Sequence, residues 1–494
     1  MTNVQTFEGL LNSKLAAQLE DELELIEPGD EISAAADGLR LTDAGNAKRF
    51  VLLHGQHIRY VRQWGKWLVY RKGKWTEDPN DVLVTQLAKD VAKKMFKTLA
   101  GLDTEPRKLL FAAANAAERR SGLAGMVALA RDLPGVLIEH EDLDADPFVL
   151  NTINGTVNLS NGQLTYWSQE DLCSKQCPVI YDPSIGISPL WIKCLERWQP
   201  DPEMRDYLQL EAGAYLCGIP TETLSIHYGH GGNGKSRYFG ALQYVLGDYA
   251  VVPHRSLVLQ SKFEQHDTVR ASLFHTRLAV LSETGTQSQL NAENVKNITG
   301  GDRQSCHHMR EDEWSFMPTH TLVMFCNHKP IIHDTSDGIW RRVRLISWDV
   351  TIPDAEQDTR LAEKLTNEAT GILNWAVEGA IKFIANGCKI PMPNKVAVDT
   401  QEYRNRENVS GRFIADCLEI GRSKDHRVPT SSMKLALTNY CVDNGLDEPK
   451  WSEVTEALAL AGGKTTTSNG IRLWEGFRLT SGPLTIQQIA GATL

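Results

Sequence analysis

No apolar run in these 494 residues approaches the roughly 18 that a membrane-spanning helix needs, so no membrane span is expected. The N-terminus is polar and acidic, which argues against a signal peptide. Cysteine is sparse. The nine thiols are scattered and odd in number, which fits reduced thiols in a cytoplasmic, cytosol-like compartment rather than a disulfide framework. The one close pair, Cys173 and Cys177, lacks a second pair or a spaced histidine pair, so no structural zinc site is expected there. Positive charge is also in deficit: 52 basic against 62 acidic residues give a net charge of −10, which excludes a protein that coats DNA by bulk electrostatics. A small basic lining inside an oligomer remains compatible with that balance. No internal repeat is visible.

What is present reads as several soluble units. A hydrophobic share of 41% and a charged share of 23% are ordinary for globular domains, and the length suits two to four of them. Residues 1–40 form an acidic arm, expected to be flexible or to bind a partner. Residues 41–204 read as an α+β domain that opens on short apolar and aromatic runs broken by glycine turns. There Arg59, Arg62, Lys66, Trp67, Arg71, Lys72 and Trp75 either stack on and neutralise a nucleic acid or form the alternating faces of a small sheet. Helical spacing runs over 81–135, then hairpin material in NTINGTVNLSNGQLTYW. Residues 205–390 alternate strands and helices as an α/β core, 400–480 form a last helical unit with a turn-linked ribbon, and 481–494 are a tail.

The sharpest local signal is HYGHGGNGKSRYF. After the apolar run TLSI, Gly229 is followed by four residues and then Gly234, Lys235 and Ser236, ahead of a helical pattern. Glycines at Gly229, Gly231, Gly232 and Gly234, with Asn233 among them, let backbone N–H groups face phosphates at a helix N-terminus. In such a loop Lys235 reaches the β and γ oxygens and the Ser236 hydroxyl binds Mg²⁺. This predicts nucleotide binding.

Downstream, two apolar runs end in polar residues where catalytic groups are needed. LAVLSET ends at Glu283, expected to polarise an attacking water and to help hold Mg²⁺. MFCNHKP ends its run at Asn327, an amide suited to orient that water and sense the γ-phosphate. GIWRRVRLISW places Arg341 and Arg342 at the start of another strand, where either could reach a neighbouring subunit's phosphates. The intervals are short: 48 residues from Lys235 to Glu283 (283 − 235), 44 on to Asn327 (327 − 283) and 14 on to Arg341 (341 − 327). A lid-bearing small-molecule kinase would be expected to put a substrate-binding insertion among these strands, and none is visible. Between Glu283 and Asn327, RQSCHHM and WSFMPTH flank a polar tip and read as a hairpin.

Together GHGGNGKS, LAVLSET, NITGGD with its hairpin, MFCNHKP and GIWRRVRLI resemble the superfamily 3 helicases, in the phage and plasmid primase-helicase branch related to the poxvirus replication NTPase. The flanking segments resemble that branch as well, so the likeness covers about residues 41–480. It implies an AAA+-like P-loop NTPase core with a C-terminal winged helix, and a ring, usually a hexamer, that hydrolyses ATP with Mg²⁺ between subunits. It also implies movement 3′ to 5′ on single-stranded or forked DNA. Carried onto this chain, Lys235 and Ser236 hold phosphate and metal, Glu283 is the catalytic acid, Asn327 the sensor, and Arg341 or Arg342 the finger. The hairpin would grip DNA through His307, His308 and Arg310, although Glu311, Asp312 and Glu313 crowd its tip. No paired-carboxylate metal site precedes the shared region, so the expectation is a helicase without primase activity that works beside a separate primase. The competing expectation is an ATP-binding initiator ring that assembles on DNA without processive unwinding.

Overall fold

The computed structural model describes residues 38–260, 267–282, 288–306, 313–423, 425–468 and 470–480. The N-terminal unit begins with α1 (Asp43–His54), whose first turn is held by the Thr42 hydroxyl accepting from Gly45 N–H. Strands β1 (Ile58–Val61), β2 (Lys66–Arg71) and β3 (Lys74–Glu77) form an antiparallel meander. Gly73, at φ +80°, makes the tight turn between β2 and β3. Helices α2 (Val82–Thr98), α3 (Thr104–Glu118) and α4 (Arg120–Ala130) come next, and β4 (Leu137–Ile138) joins β1 in parallel. Leu83, Val84, Leu87, Val91 and Met95 recur at helical spacing on α2 and enter one core with Trp67, Val69 and Phe50.

That core settles the basic and aromatic run in favour of a sheet. Trp67 and Trp75 are 0% and 1% exposed, so neither ring face is open to a base. Trp75 donates from Nε1 to the Gln169 carbonyl, and the Arg59 guanidinium lies over its ring at 4.6 Å.

A second meander, β5 (Val149–Thr152), β6 (Gly155–Asn158) and β7 (Gln163–Thr165), realises the NG-turn hairpins. Its inward residues Leu150 and Val157 share a core with Trp191, Leu208 and Phe239 further along the chain rather than with the first sheet. Cys173 and Cys177 lie beyond it, where burial pushes the Cys177 thiol up to about 12 and the Cys173 thiol up as well.

Helices α5 (Pro189–Trp198) and α6 (Pro202–Leu216) each start on a capping side chain with proline at the first helical position, Ser188 before one and Asp201 before the other. Then come β8 (Leu224–Tyr228), α7 (Lys235–Leu246), β9 (Ala250–Val251), β10 (Leu278–Ser282) and α8 (Ala292–Thr299). They are followed by the paired β11 (Gln304–Cys306) and β12 (Trp314–Phe316), then β13 (Thr321–Cys326), α9 (Asp337–Trp340) and β14 (Val343–Ser347). Strands β8, β9, β10, β13 and β14 form one parallel sheet in the order β14-β8-β13-β10-β9, so the α/β expectation holds here. The first strand of the set is therefore interior, between the edge strand β14 and β13. The chain leaves β8, crosses two strands to β9, and finally returns to its other side as β14, which opens a crevice beyond the β8 carboxyl end.

Helix α10 (Ala369–Ala385) packs across α6, and α11 (Asn394–Glu407) lies on β14. The last unit comprises α12 (Val409–Cys417), β15 (Leu418–Ile420), β16 (Arg427–Pro429), α13 (Thr430–Asn444), α14 (Trp451–Leu460), β17 (Lys464–Ser468), β18 (Ile471–Glu475) and β19 (Phe477–Leu479). It has its own core around Phe413, Leu437, Leu458 and Phe477. Among the described residues, no helix is long and apolar enough to cross a membrane.

One aromatic cluster bolts the first sheet to the base of the β11–β12 hairpin. Trp64, from the β1–β2 turn, meets Phe274 and Trp314 edge-on at 5.6 and 6.3 Å, and His140 meets Trp314 at 5.3 Å. The His140 ring nitrogen Nε2 lies 2.8 Å from the Ser315 carbonyl, and Arg303, just before β11, pairs with Glu141 at 2.5 Å.

Helices α6 and α10 approach closely because glycine faces glycine: a Cβ on Gly213 would lie 2.1 Å from the Gly379 carbonyl carbon. Gly213→Ala should therefore cost about 1–3 kcal/mol, the usual toll of overpacking. A thermal melt should show it as a midpoint lower by several degrees, while Gly240→Ala, whose new methyl meets open space within α7, should melt at or a few degrees above the wild type.

Candidate functional site: a buried lysine beyond the end of β8

Lys235 is the first residue of α7 and is only 3% exposed. Its ammonium donates to the Gly229 carbonyl at 2.6 Å, to Asn233 Oδ1 at 3.0 Å and to Asn327 Oδ1 at 3.4 Å. Burial pulls its pKa down from 10.5 to about 8, with a small opposing pull from the neighbouring Cys326. The loop that presents it needs glycine twice, at Gly232 (φ +74°) and Gly234 (φ +91°). A Cβ on Gly234 would also sit 2.4 Å from the Trp198 ring of α5.

Asn233 turns inward. Its Nδ2 donates to the His230 carbonyl at 2.5 Å and to the Trp348 carbonyl beyond β14 at 3.2 Å, while its Oδ1 accepts from Lys235. Ile352 N–H closes a second tie to the Gly232 carbonyl at 2.7 Å. The loop is thus clasped by the segment after β14. Among the described residues, the N–H groups of Gly231, Gly232, Asn233, Gly234 and Ser236 meet no acceptor. Unpaired amides at the N-terminus of a helix, beside a buried ammonium, make an anion cradle. The Ser236 hydroxyl is exposed at its mouth.

A cavity of about 940 Å³ opens from the cradle. One wall is α5, with Leu190, Cys194 and Arg197, and the other is the stretch after β14, with Ile352, Gln357 and Leu361. Arg197 and Glu356 pair across it at 2.9 Å. These wall residues carry no motif, and sequence reasoning missed them. Trp198 was equally hidden, although its ring dictates the glycine at 234.

The fold brings together some of the residues that the sequence singled out and separates others. Asn327 follows β13 directly and reaches Lys235, so those two meet. Glu283 lies outside the described residues; the strand that leads to it ends at Ser282, opposite Phe325, at the same carboxyl edge of the sheet. His307, His308 and Arg310 also lie outside the described residues, while the strands that flank them pair in register, Cys306 opposite Trp314. Arg341 and Arg342 precede β14, whose Val343 is level with Leu224 at the start of β8, so the length of the sheet parts them from their own chain's cradle. Arg342 is half-buried and donates to the Gly338 carbonyl at 2.7 Å. The Arg341 side chain is exposed and, among the described residues, has no hydrogen-bond or ionic partner.

Comparison with known proteins places this geometry. A model described as D5 N terminal like matches residues 47–200, and one described as a family of unknown function, DUF5906, matches residues 227–342. A candidate helicase of Acanthamoeba polyphaga mimivirus is 26% identical over 300 residues, 56% of this chain and 31% of that protein. A candidate helicase of Invertebrate iridescent virus 3 is 22% identical over 339 residues, 61% of this chain and 36% of that one. The N-terminal unit is thus similar to the D5 N terminal like family over residues 47–200. The chain spans about a third of the length of those curated relatives. A candidate primase of African swine fever virus is 22% identical over 213 residues, 41% of this chain and 22% of that protein. Among solved structures, the apo C-terminal region of NrS-1 superposes with a TM-score of 0.45 at 10% identity, covering 84% of this chain and 95% of that one.

The lowered pKa makes the cradle's grip on an anion pH-dependent. Lys235 must be protonated to attract it, so affinity for inorganic tripolyphosphate should fall about tenfold between pH 7 and pH 9, read by calorimetry. Lys235→Arg, charged throughout, should give a flat profile. The stability term has the opposite slope: between about 8 and 10.5 the unfolded chain binds the extra proton, so this group favours folding more as pH rises through that window.

Proposed function

We propose that the chain is the motor of an ATP-driven DNA helicase that serves replication of a phage, prophage or mobile element. The observation that carries this reading is the anion cradle at the switch point of a β14-β8-β13-β10-β9 sheet, with Asn327 from the adjacent strand in contact with Lys235. That strand order, with the lysine loop after β8 and a polar residue ending the adjacent β13, supports an AAA+-like P-loop core over 205–390. The cavity has the size of a nucleotide site. The unpaired amides and Lys235 would hold phosphates, and the Ser236 hydroxyl, with Glu283, would hold Mg²⁺. Bound Mg²⁺ supplies charge neutralisation at the phosphate oxygens. Glu283 would take the proton of the attacking water, and Asn327 would orient that water while its contact with Lys235 reports the state of the site.

Arg341 is the better finger of the two. It is exposed and unengaged among the described residues, and it stands at the far end of the sheet from its own cradle, which requires a neighbouring subunit's cradle as its target. Arg342 serves its own chain by capping α9. A ring of such subunits brings the β11–β12 hairpins toward one axis, where His307, His308 and Arg310 at the tips would contact single-stranded DNA. Residues 41–204 form a collar, and 400–480, with three helices and a β16-β18-β17 ribbon, a winged-helix unit. A separate primase would supply primers.

Strand displacement on a 3′-tailed duplex with ATP tests the reading. Lys235→Ala and Glu283→Gln should each lower ATP turnover about a hundredfold or more and abolish displacement. A wild type that turns over ATP and assembles on duplex yet never displaces a strand would instead be an initiator ring. Arg341→Ala should lose about a thousandfold in turnover and poison mixed rings, whereas Arg342→Ala should chiefly lower the melting temperature. Activity that merely dilutes in proportion to the Arg341→Ala fraction would remove the shared-site assignment.

A further inference from the structure

The helical layer of the N-terminal unit stands out from the acidic chain around it. Residues 82–131 hold nine basic against four acidic residues, a local net charge of +5 (9 − 4) where the whole chain carries −10. Two of those acids are engaged within the layer, Asp90 with Lys94 at 3.2 Å and Glu105 with Lys108 at 3.0 Å. On α2, Lys89, Lys93 and Lys97 are exposed, four residues apart, and have no ionic partner among the described residues. Like charges at that spacing oppose the helix that carries them, so the arrangement favours a polyanion alongside it.

Helix α3 beside it buries only Ala114 and Ala117 of its 15 residues. Its open side carries Arg107, Phe111, Asn115 and Arg119, each four residues from the last, along a ridge about 18 Å long. Phe111 is 53% exposed and its neighbour Leu109 66% exposed. One edge of Phe111 is steadied by Phe96 of α2 at 6.0 Å. Asn115 donates from Nδ2 to the Phe111 carbonyl at 2.9 Å, which leaves its Oδ1 as an acceptor. Phe111, Ala112, Asn115, Glu118 and Arg119 line an open groove of about 650 Å³. A base-stacking ring between two guanidiniums and a free amide oxygen is the make-up of a single-strand platform.

We propose that this α2–α3 face binds single-stranded DNA. Phe111 stacks on a base, and Arg107, Arg119 and the α2 lysines meet the phosphates. The site differs from the pore contacts, and it rests on the helicase reading only in taking the strand to be DNA.

Anisotropy of a labelled oligothymidylate with the full chain, without nucleotide and over a range of salt, tests it. Phe111→Ala should weaken binding about five- to 150-fold with little change in salt slope. Phe111→Trp should bind as wild type. Arg107→Ala with Arg119→Ala should make the slope shallower by about 1.4. All these side chains are solvent-facing, so melting temperatures should match. Wild-type affinity and slope in both alanine variants would overturn this proposal alone, whereas a wild type that binds no DNA would sink the helicase reading with it. A peptide of residues 1–37, with nine acidic residues against one basic, is the rival occupant. If it binds wild type but not Phe111→Ala while DNA affinity is untouched, the face takes an acidic segment and the DNA assignment falls.

Discussion

The buried ammonium of Lys235 is the constraint on which the site depends. A cation removed from water must be surrounded by oxygens, and here three come from three places: its own loop, the loop's asparagine and the strand next door. Each oxygen has a structural cost of its own. Gly229 must lack a side chain because the Trp348 carbonyl and Asn233 crowd it, Asn233 must turn inward, and β13 must end level with β8. An anion in the cradle would compete for the same ammonium, so a ligand there would act directly on the contact between α7 and the β13 end.

That contact matters because of what adjoins β13. The β11–β12 hairpin lies between β10 and β13 in the chain, and its base is packed on Trp64 and His140 of the N-terminal sheet. The cluster therefore anchors the base of the hairpin, on the amino-end side of β13, to the N-terminal sheet. The same cluster ties the base of the hairpin to the unit that carries the basic helical layer.

Much of this was legible from sequence. The glycine-rich loop announces its conformation because only glycine tolerates φ near +74° and +91° at those points, and apolar runs four to six residues long marked four of the five parallel strands. The hairpin followed from two extended segments around a polar tip. The aromatic run near Trp67 and Trp75 was ambiguous, because a period of two in basic and aromatic residues is the same whether one face meets a core or a strand of DNA. Burial decided it. The cavity walls were illegible: Leu190 and Cys194 on one side and Ile352 and Leu361 on the other are ordinary apolar residues, the two pairs 158 positions apart (352 − 194), brought together only by the packing of α5 beside the segment after β14.

Sequence alone determined the chemistry available, since residue types and short spacings act within one loop or helix turn: an anion-binding loop, an amide at a strand end, and a pair of arginines opening another strand. Only the tertiary structure decided which of these meet. Strand order put Asn327 against Lys235 and both arginines at the opposite edge, and helix packing left Arg341 open while tying Arg342 down. Contacts of this kind depend on which strands are neighbours, and neighbours in this sheet are up to 119 positions apart (343 − 224), beyond the reach of any local pattern.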